Sequence, residues 1–232
     1  MAISRILHEM IGVEKRLNKL EWQSCNFPKY KQNNATKFNF IDTIVQGRTL
    51  LVGEGNLSFS ASLIRTGRII PGWLTATTFE NAQNLPLGGE ENINSLRAYG
   101  INVLHGVDAT NLVATFGAFR FDNIIFQFPH TGSRTPVEGH NPNFILIRDF
   151  LISASFQLDR NGKVFVSVVN SPHYEGTFQF EKAAKLSGFF PPDIYPFDPS
   201  AFPGYEHTMT HQDGSALDNH NKFSTWVFSR GY

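Results

Sequence analysis

From residue 48 onward, short apolar runs alternate with amphipathic stretches, and each run stops at a glycine, a carboxylate or a proline. Thr49-Leu50-Leu51-Val52 ends at Gly53-Glu54-Gly55, after which Ser58 to Leu63 opens a helix, so the pattern predicts a strand, a glycine turn and a helix. A second strand, Trp73 to Phe79, stops at Glu80; a helix follows over Glu91–Tyr99, ended by Gly100, a residue that tolerates left-handed geometry. Ile101–His105 predicts a third strand, closing on Gly106-Val107-Asp108-Ala109-Thr110. Phe121–Phe128 is apolar almost throughout, the mark of a strand buried on both faces at the centre of a parallel sheet. Asn143–Leu158 predicts a helix, Gly162–Val169 a fifth strand and Phe178–Leu186 a further helix before Gly188. A proline-rich stretch over 189–221 interrupts the alternation, and Lys222–Arg230 returns as the last strand. Strands alternating with helices at this spacing imply right-handed crossovers and an open, doubly wound, mostly parallel α/β sheet, Rossmann-like in class, with 222–230 antiparallel.

Upstream the pattern differs. Ile3, Ile6, Leu7, Met10, Val13, Leu17 and Leu20 recur at spacings of three and four, which predicts an amphipathic helix over 3–22. Residues 23–40 lack periodicity and are rich in Asn and Lys. The reading is an N-terminal helix and linker, 1–46, ahead of a domain spanning 47–232.

Composition narrows the class. With 20 basic and 20 acidic side chains the formal net charge is zero, and 41% hydrophobic residues with 22 Phe supply ample material for a core. No run approaches the ~20 apolar residues of a membrane span, so no membrane partner is expected. A lone cysteine, Cys25, excludes a disulfide framework or a multi-thiolate zinc site within the chain and favours an intracellular, cytoplasmic home. Charge is uneven: residues 1–50 carry eight Lys/Arg against four Asp/Glu, leaving the remainder net acidic. A nucleic-acid footprint would therefore involve the N-terminal segment. Nothing in the sequence speaks to the oligomeric state.

In an open α/β sheet ligands bind beyond the carboxyl ends of the strands. Glu54, Glu80, Asp108 and Gln127 to His130 all fall there. Glycines at 53 and 55 let the backbone approach a ligand closely, and Glu80 is placed to accept hydrogen bonds from a ribose diol. Glu54 would repel a pyrophosphate, and the loop holds no Lys or Arg to offset it. S-adenosylmethionine, with its ammonium and sulfonium, is thus the first candidate ligand and NAD the second. His207 and His211 stand four apart, but Pro203-Gly204 argue for a loop, and no metal site is expected. Ser58 and Ser60 read as helix-start hydrogen bonders rather than nucleophiles.

Leu51 to Ser60 (LVGEGNLSFS), Gly106 to Thr110 (GVDAT), Phe121 to Gly132 (FDNIIFQFPHTG) and Phe202 to His207 (FPGYEH) resemble, in order and spacing, the Rossmann-like methyltransferases typified by the large-subunit ribosomal RNA uridine-N3 methyltransferase. The resemblance covers roughly residues 48–230. It implies S-adenosylmethionine as methyl donor and RNA, ribosomal by family, as substrate. By position it implies Gly53, Glu54 and Gly55 beneath the methionine moiety, with Ser58 and Phe59 beginning the next helix. It sets Glu80 at the ribose, Asp108 at the adenine edge, and Gln127-Phe128-Pro129-His130 where donor and target base meet. Methylating a uracil nitrogen requires loss of an imide proton, which casts His130 as general base and Gln127 as the group orienting the base. Asn56 stands where the family has Asp, Gln127 where it has Asn, and Asn170 where it has Lys, so rim cations that would hold phosphates are missing. Two other readings stay open: the same fold acting on a small molecule or protein, and a non-catalytic module binding partners through residues 1–46.

Overall fold

Four consecutive residues with no polar face, Thr49–Val52, cannot sit at a sheet edge, and in the computed structural model they form β1, buried along its whole length at the middle of a seven-stranded sheet. Residues 39–133, 135–170, 176–207 and 223–231 are described. The helix expected over 3–22 and the linker up to 38 lie outside them, as do His173, His211 and His220.

The remaining strands are β2 (Leu74–Thr77), β3 (Asn102–Leu104), β4 (Phe121–Gln127), β5 (Leu158–Val169), β6 (Asp193–Phe197) and β7 (Phe223–Ser229). Their order is β3-β2-β1-β4-β5-β7-β6. The first five run parallel, and β7 inserts antiparallel between β5 and β6. The strand order reverses between β1 and β4, the switch point at which a ligand crevice opens.

The helices are α1 (Phe40–Ile44), α2 (Ser58–Arg65), α3 (Gly89–Ala98), α4 (Leu112–Phe116), α5 (Pro142–Gln157) and α6 (Phe180–Leu186). α5 starts at Asn141, whose side chain caps Asn143 N–H, with Pro142 in the first turn. It buries Phe144, Ile147, Phe150, Leu151 and Ala154 against the sheet, where the Phe126 and Phe150 rings meet edge to face at 5.0 Å. On the opposite face Phe40, Phe59, Phe165, Phe197 and Phe202 form an aromatic cluster with centroids 4.9–6.4 Å apart. Phe40 thereby ties α1 into the domain, so the compact unit begins at Asn39, ahead of the boundary expected at residue 47.

Several elements escape the periodicity reading, among them α1, which lies in the stretch read as linker. β6 lies inside the proline-rich stretch; it is an edge strand, where Pro196 forfeits no essential ladder bond. α4 is too short to show a helical period. The second strand is also shorter than expected, because Pro71–Trp73 forms a 3-10 turn and Phe79 has already left the sheet.

Candidate active site

The backbone between β1 and α2 does most of the building. Gly53 adopts φ +64°, and a Cβ placed there would meet Phe126 Cε2 at 2.6 Å, so both conformation and space demand glycine. The next residue, Glu54, donates its N–H to the Thr77 carbonyl at 2.9 Å, locking the turn to the end of β2. α2 then begins after Leu57, which has φ 63° and no capping side chain of its own. Its orphan N–H groups are met from upstream instead: Asn56 Oδ1 accepts from Ser58 N–H at 3.1 Å, and Glu54 accepts from Ser60 N–H at 3.0 Å and from the Ser60 hydroxyl.

Glu54 is therefore a buried, hydrogen-bonded carboxylate at the wall of the cleft. Burial raises its pKa to about 7, with the Ser60 hydrogen bonds opposing the rise. Tyr205 packs beside it; burial and the Glu54 charge push the phenol well above its usual range. The 199–207 segment reaches this position because Phe202 anchors on Phe59 at 4.9 Å and Ser58 Oγ both donates to the Glu206 carbonyl, at 2.7 Å, and accepts the Glu206 N–H at 3.0 Å. Ser58→Ala should cost about 1 kcal/mol of stability, since water can take over part of this exchange; thermal unfolding checks it.

The loops after β2 and β3 are laced together. Thr78 N–H reaches Leu104 O, Val107 N–H reaches Thr78 O and Gly106 N–H reaches Glu80 O. Asp108 accepts from Thr110 N–H and hydroxyl at 2.8 and 2.7 Å with one oxygen of its carboxylate. At the end of β4, Phe128 takes φ 49°, a strained value for a bulky residue, and turns the chain so that Gln127 and His130 both face one cleft. His130 Nδ1 accepts the Gly132 N–H at 2.8 Å.

The outcome is a cleft of about 570 Å³ whose lining includes every residue named from the sequence: Gly53, Glu54, Gly55, Ser58, Phe59, Glu80, Asp108, Gln127, Phe128, Pro129 and His130. Phe59 and Pro129 contribute buried walls rather than exposed groups. Sequence reasoning missed Phe79, which also lines the cleft and is 64% exposed, a flat apolar surface next to Glu80. Counting it into the strand hid it; its place one residue before the carboxylate was the available signal. Asn84 and Pro86, from the loop before α3, gave none.

The family model described as "rRNA (uridine-N3-)-methyltransferase BTM5-like" matches residues 50–209. The chain belongs to the BMT5-like family. Among its relatives, the mouse ferredoxin-fold anticodon-binding domain-containing protein 1 homolog is 37% identical over 177 residues, covering 69% of this chain and 28% of that protein. The chain thus spans little more than a quarter of that relative's length. The Saccharomyces cerevisiae 25S rRNA (uridine(2634)-N(3))-methyltransferase is 24% identical, with 92% of this chain and 80% of that protein covered. A methyltransferase from Pyrococcus furiosus superposes with a TM-score of 0.50 at 14% identity, over 97% of this chain and 98% of that one, and establishes the shared fold.

Family and fold imply S-adenosylmethionine as the methyl donor, and the cleft of this BMT5-like chain fits it. Gln127 carries the clearest sign: both its amide Nε2 and Oε1 are buried with no hydrogen-bond partner among the described residues, a state costing about 1–3 kcal/mol per group unless something else fills the space. The Glu80 carboxylate makes no hydrogen bond among the described residues, and Phe79 offers a face on which a purine can lie.

Proposed function

We infer that this chain transfers a methyl group from S-adenosylmethionine to N3 of a uridine in ribosomal RNA. The observation that carries the reading is the unpartnered Gln127 amide in a cleft whose family works on that base. Glu80 would hold the ribose hydroxyls, Asp108 with its second oxygen the adenine edge, and the Gly53–Gly55 turn the amino-acid tail. When bound, S-adenosylmethionine supplies an electrophilic methyl carbon.

The protein's part lies in the uracil imide. N3 first loses its imide proton to hydroxide reaching the open cleft, so that negative charge spreads onto O2 and O4, and that charge is quenched as N3 takes the methyl and the bond to the sulfonium breaks. Hydrogen-bond donors at those oxygens stabilise that charge most when it is fully developed. Gln127 Nε2–H is one such donor. His130 is the second: because Nδ1 accepts from Gly132, the neutral ring carries its proton on Nε2 and reads as a donor, not as the base its sequence position suggested.

Substitution separates the two roles. His130→Gln keeps an N–H donor but cannot take a proton, so it should retain most of kcat while His130→Ala loses far more; equal losses in both would restore the general base. The function itself is tested by incubating the protein with labelled S-adenosylmethionine and unmodified ribosomal RNA and digesting the product. Label recovered as N3-methyluridine supports the reading, whereas label in a small molecule or protein, or no transfer, overturns it.

A further inference from the structure

A second concavity, about 510 Å³, lies at the other end of the sheet, where β4 and β5 begin and β7 ends. Arg120, Arg160 and Arg230 line it together with Asp159 and Phe190. The acid is already spent: Asp159 Oδ2 accepts from Arg48 Nη2 at 2.9 Å, and Arg48 also holds Asp122. Arg120 reaches only the neighbouring Phe119 carbonyl, at 3.1 Å, and the guanidinium groups of Arg160 and Arg230 make no hydrogen bond or ion pair among the described residues. Exposed aromatics flank them, Phe119 at 48% and Phe190 at 47%.

The backbone is bent to present this face. Pairing between β4 and β5 jumps from Phe121↔Leu158 to Asn123↔Lys163, so residues 159–162 bulge out of the ladder and carry exposed Arg160 with them. Gly162 is required at the exit of the bulge, since a Cβ there would meet the Asp122 carbonyl at 2.9 Å. Guanidinium groups around a concave surface, with aromatic rings beside them, complement a phosphodiester backbone.

We propose that this arginine face is a second RNA contact, holding phosphates of the strand or helix that flanks the target nucleotide. The proposal rests on the RNA reading above and extends it. Among the described residues no Lys or Arg lines the cleft, and this face supplies cations at the far end of the sheet. The six residue steps of β4 place the two sites about 20 Å apart at ~3.3 Å per residue. A dinucleotide is too short to touch both, whereas a longer strand can follow the surface from one to the other.

The test compares the wild-type chain with Arg160→Ala/Arg230→Ala, both exposed positions whose loss leaves the core intact. Binding of long ribosomal RNA and of a uridine dinucleotide is measured by fluorescence anisotropy over a salt series, with S-adenosylhomocysteine affinity as the check on the cleft. The double variant is expected to bind long RNA more weakly, with a salt dependence shallower by about two units, one per phosphate contact. Dinucleotide and S-adenosylhomocysteine affinities are expected to stay unchanged. An unchanged salt slope for long RNA in the double variant overturns the arginine contact while leaving the RNA reading in place. Failure of the wild-type chain to bind long RNA at all overturns both.

Discussion

Glu54→Gln is expected to stabilise the protein at pH 8 by up to roughly 3 kcal/mol and to change little at pH 4. The carboxyl has a pKa of about 7 in the fold against 4.5 when free, so between those values the folded state binds the extra proton. Its favourable contribution is complete below about 4.5 and is lost as pH rises toward 7, because above that point the fold must bury a charge. Glutamine preserves an acceptor for Ser60 N–H and never ionises. Thermal unfolding of both proteins from pH 4 to pH 8 measures the difference, and a gap that fails to widen with pH would remove Glu54 from the buried-acid role. The same substitution should weaken S-adenosylmethionine more than an uncharged ligand. A cation bound near Glu54 favours its ionised form, so the wild-type chain should release protons on binding near neutral pH, and the variant should not.

Gly53→Ala is the second large effect. The methyl must occupy φ +64°, at roughly 1–2 kcal/mol, and must also displace the buried Phe126 ring from 2.6 Å, an overpacking cost of roughly 1–3 kcal/mol. Together these predict a loss of about 3 kcal/mol, a large share of the ~5–15 kcal/mol stability of a domain. Gly67 provides the internal comparison: its φ is +67°, but nothing lies within 4 Å of the added methyl, so Gly67→Ala should pay only the conformational part. Chemical denaturation of both variants reads the contrast directly, and equal destabilisation would show that the Phe126 contact is not what requires glycine at 53.

Much of this architecture was legible because the sheet is buried on both faces. Continuous apolar runs such as Phe121–Phe128 mark central strands, and polar residues at their ends mark the crevice. That logic put Gly53 to Gly55, Glu80, Asp108 and Gln127 to His130 at the strand ends that line the cleft, while Ser58 and Phe59 came from the family resemblance. What it could not find depends on long-range geometry. The pairing of Ser60 with Glu54, which buries the acid beside the cleft, follows from the left-handed Leu57 that starts α2, and no local pattern announces a leucine with positive φ. His130 offered two nitrogens, and only the fold shows that Gly132 claims one. Phe79 reaches the cleft through a turn rather than a periodic element, and β6 hides among prolines because an edge strand can afford them.

The distal arginine face was equally invisible, since Arg120, Arg160 and Arg230 are far apart in sequence and the near-neutral total charge conceals them. Only the antiparallel insertion of β7 beside β5 brings Arg230 to the start of that strand.

The account turns on the cleft at the ends of β1, β2 and β4 being a methyl-donor site, and isothermal titration tests that most directly. S-adenosylmethionine and S-adenosylhomocysteine should each bind the wild-type chain with micromolar affinity, and Glu80→Ala, which removes the carboxylate assigned to the ribose, should weaken both. NAD should not compete. Binding of NAD in preference to either, or S-adenosylmethionine binding that ignores Glu80→Ala, would contradict the assignment.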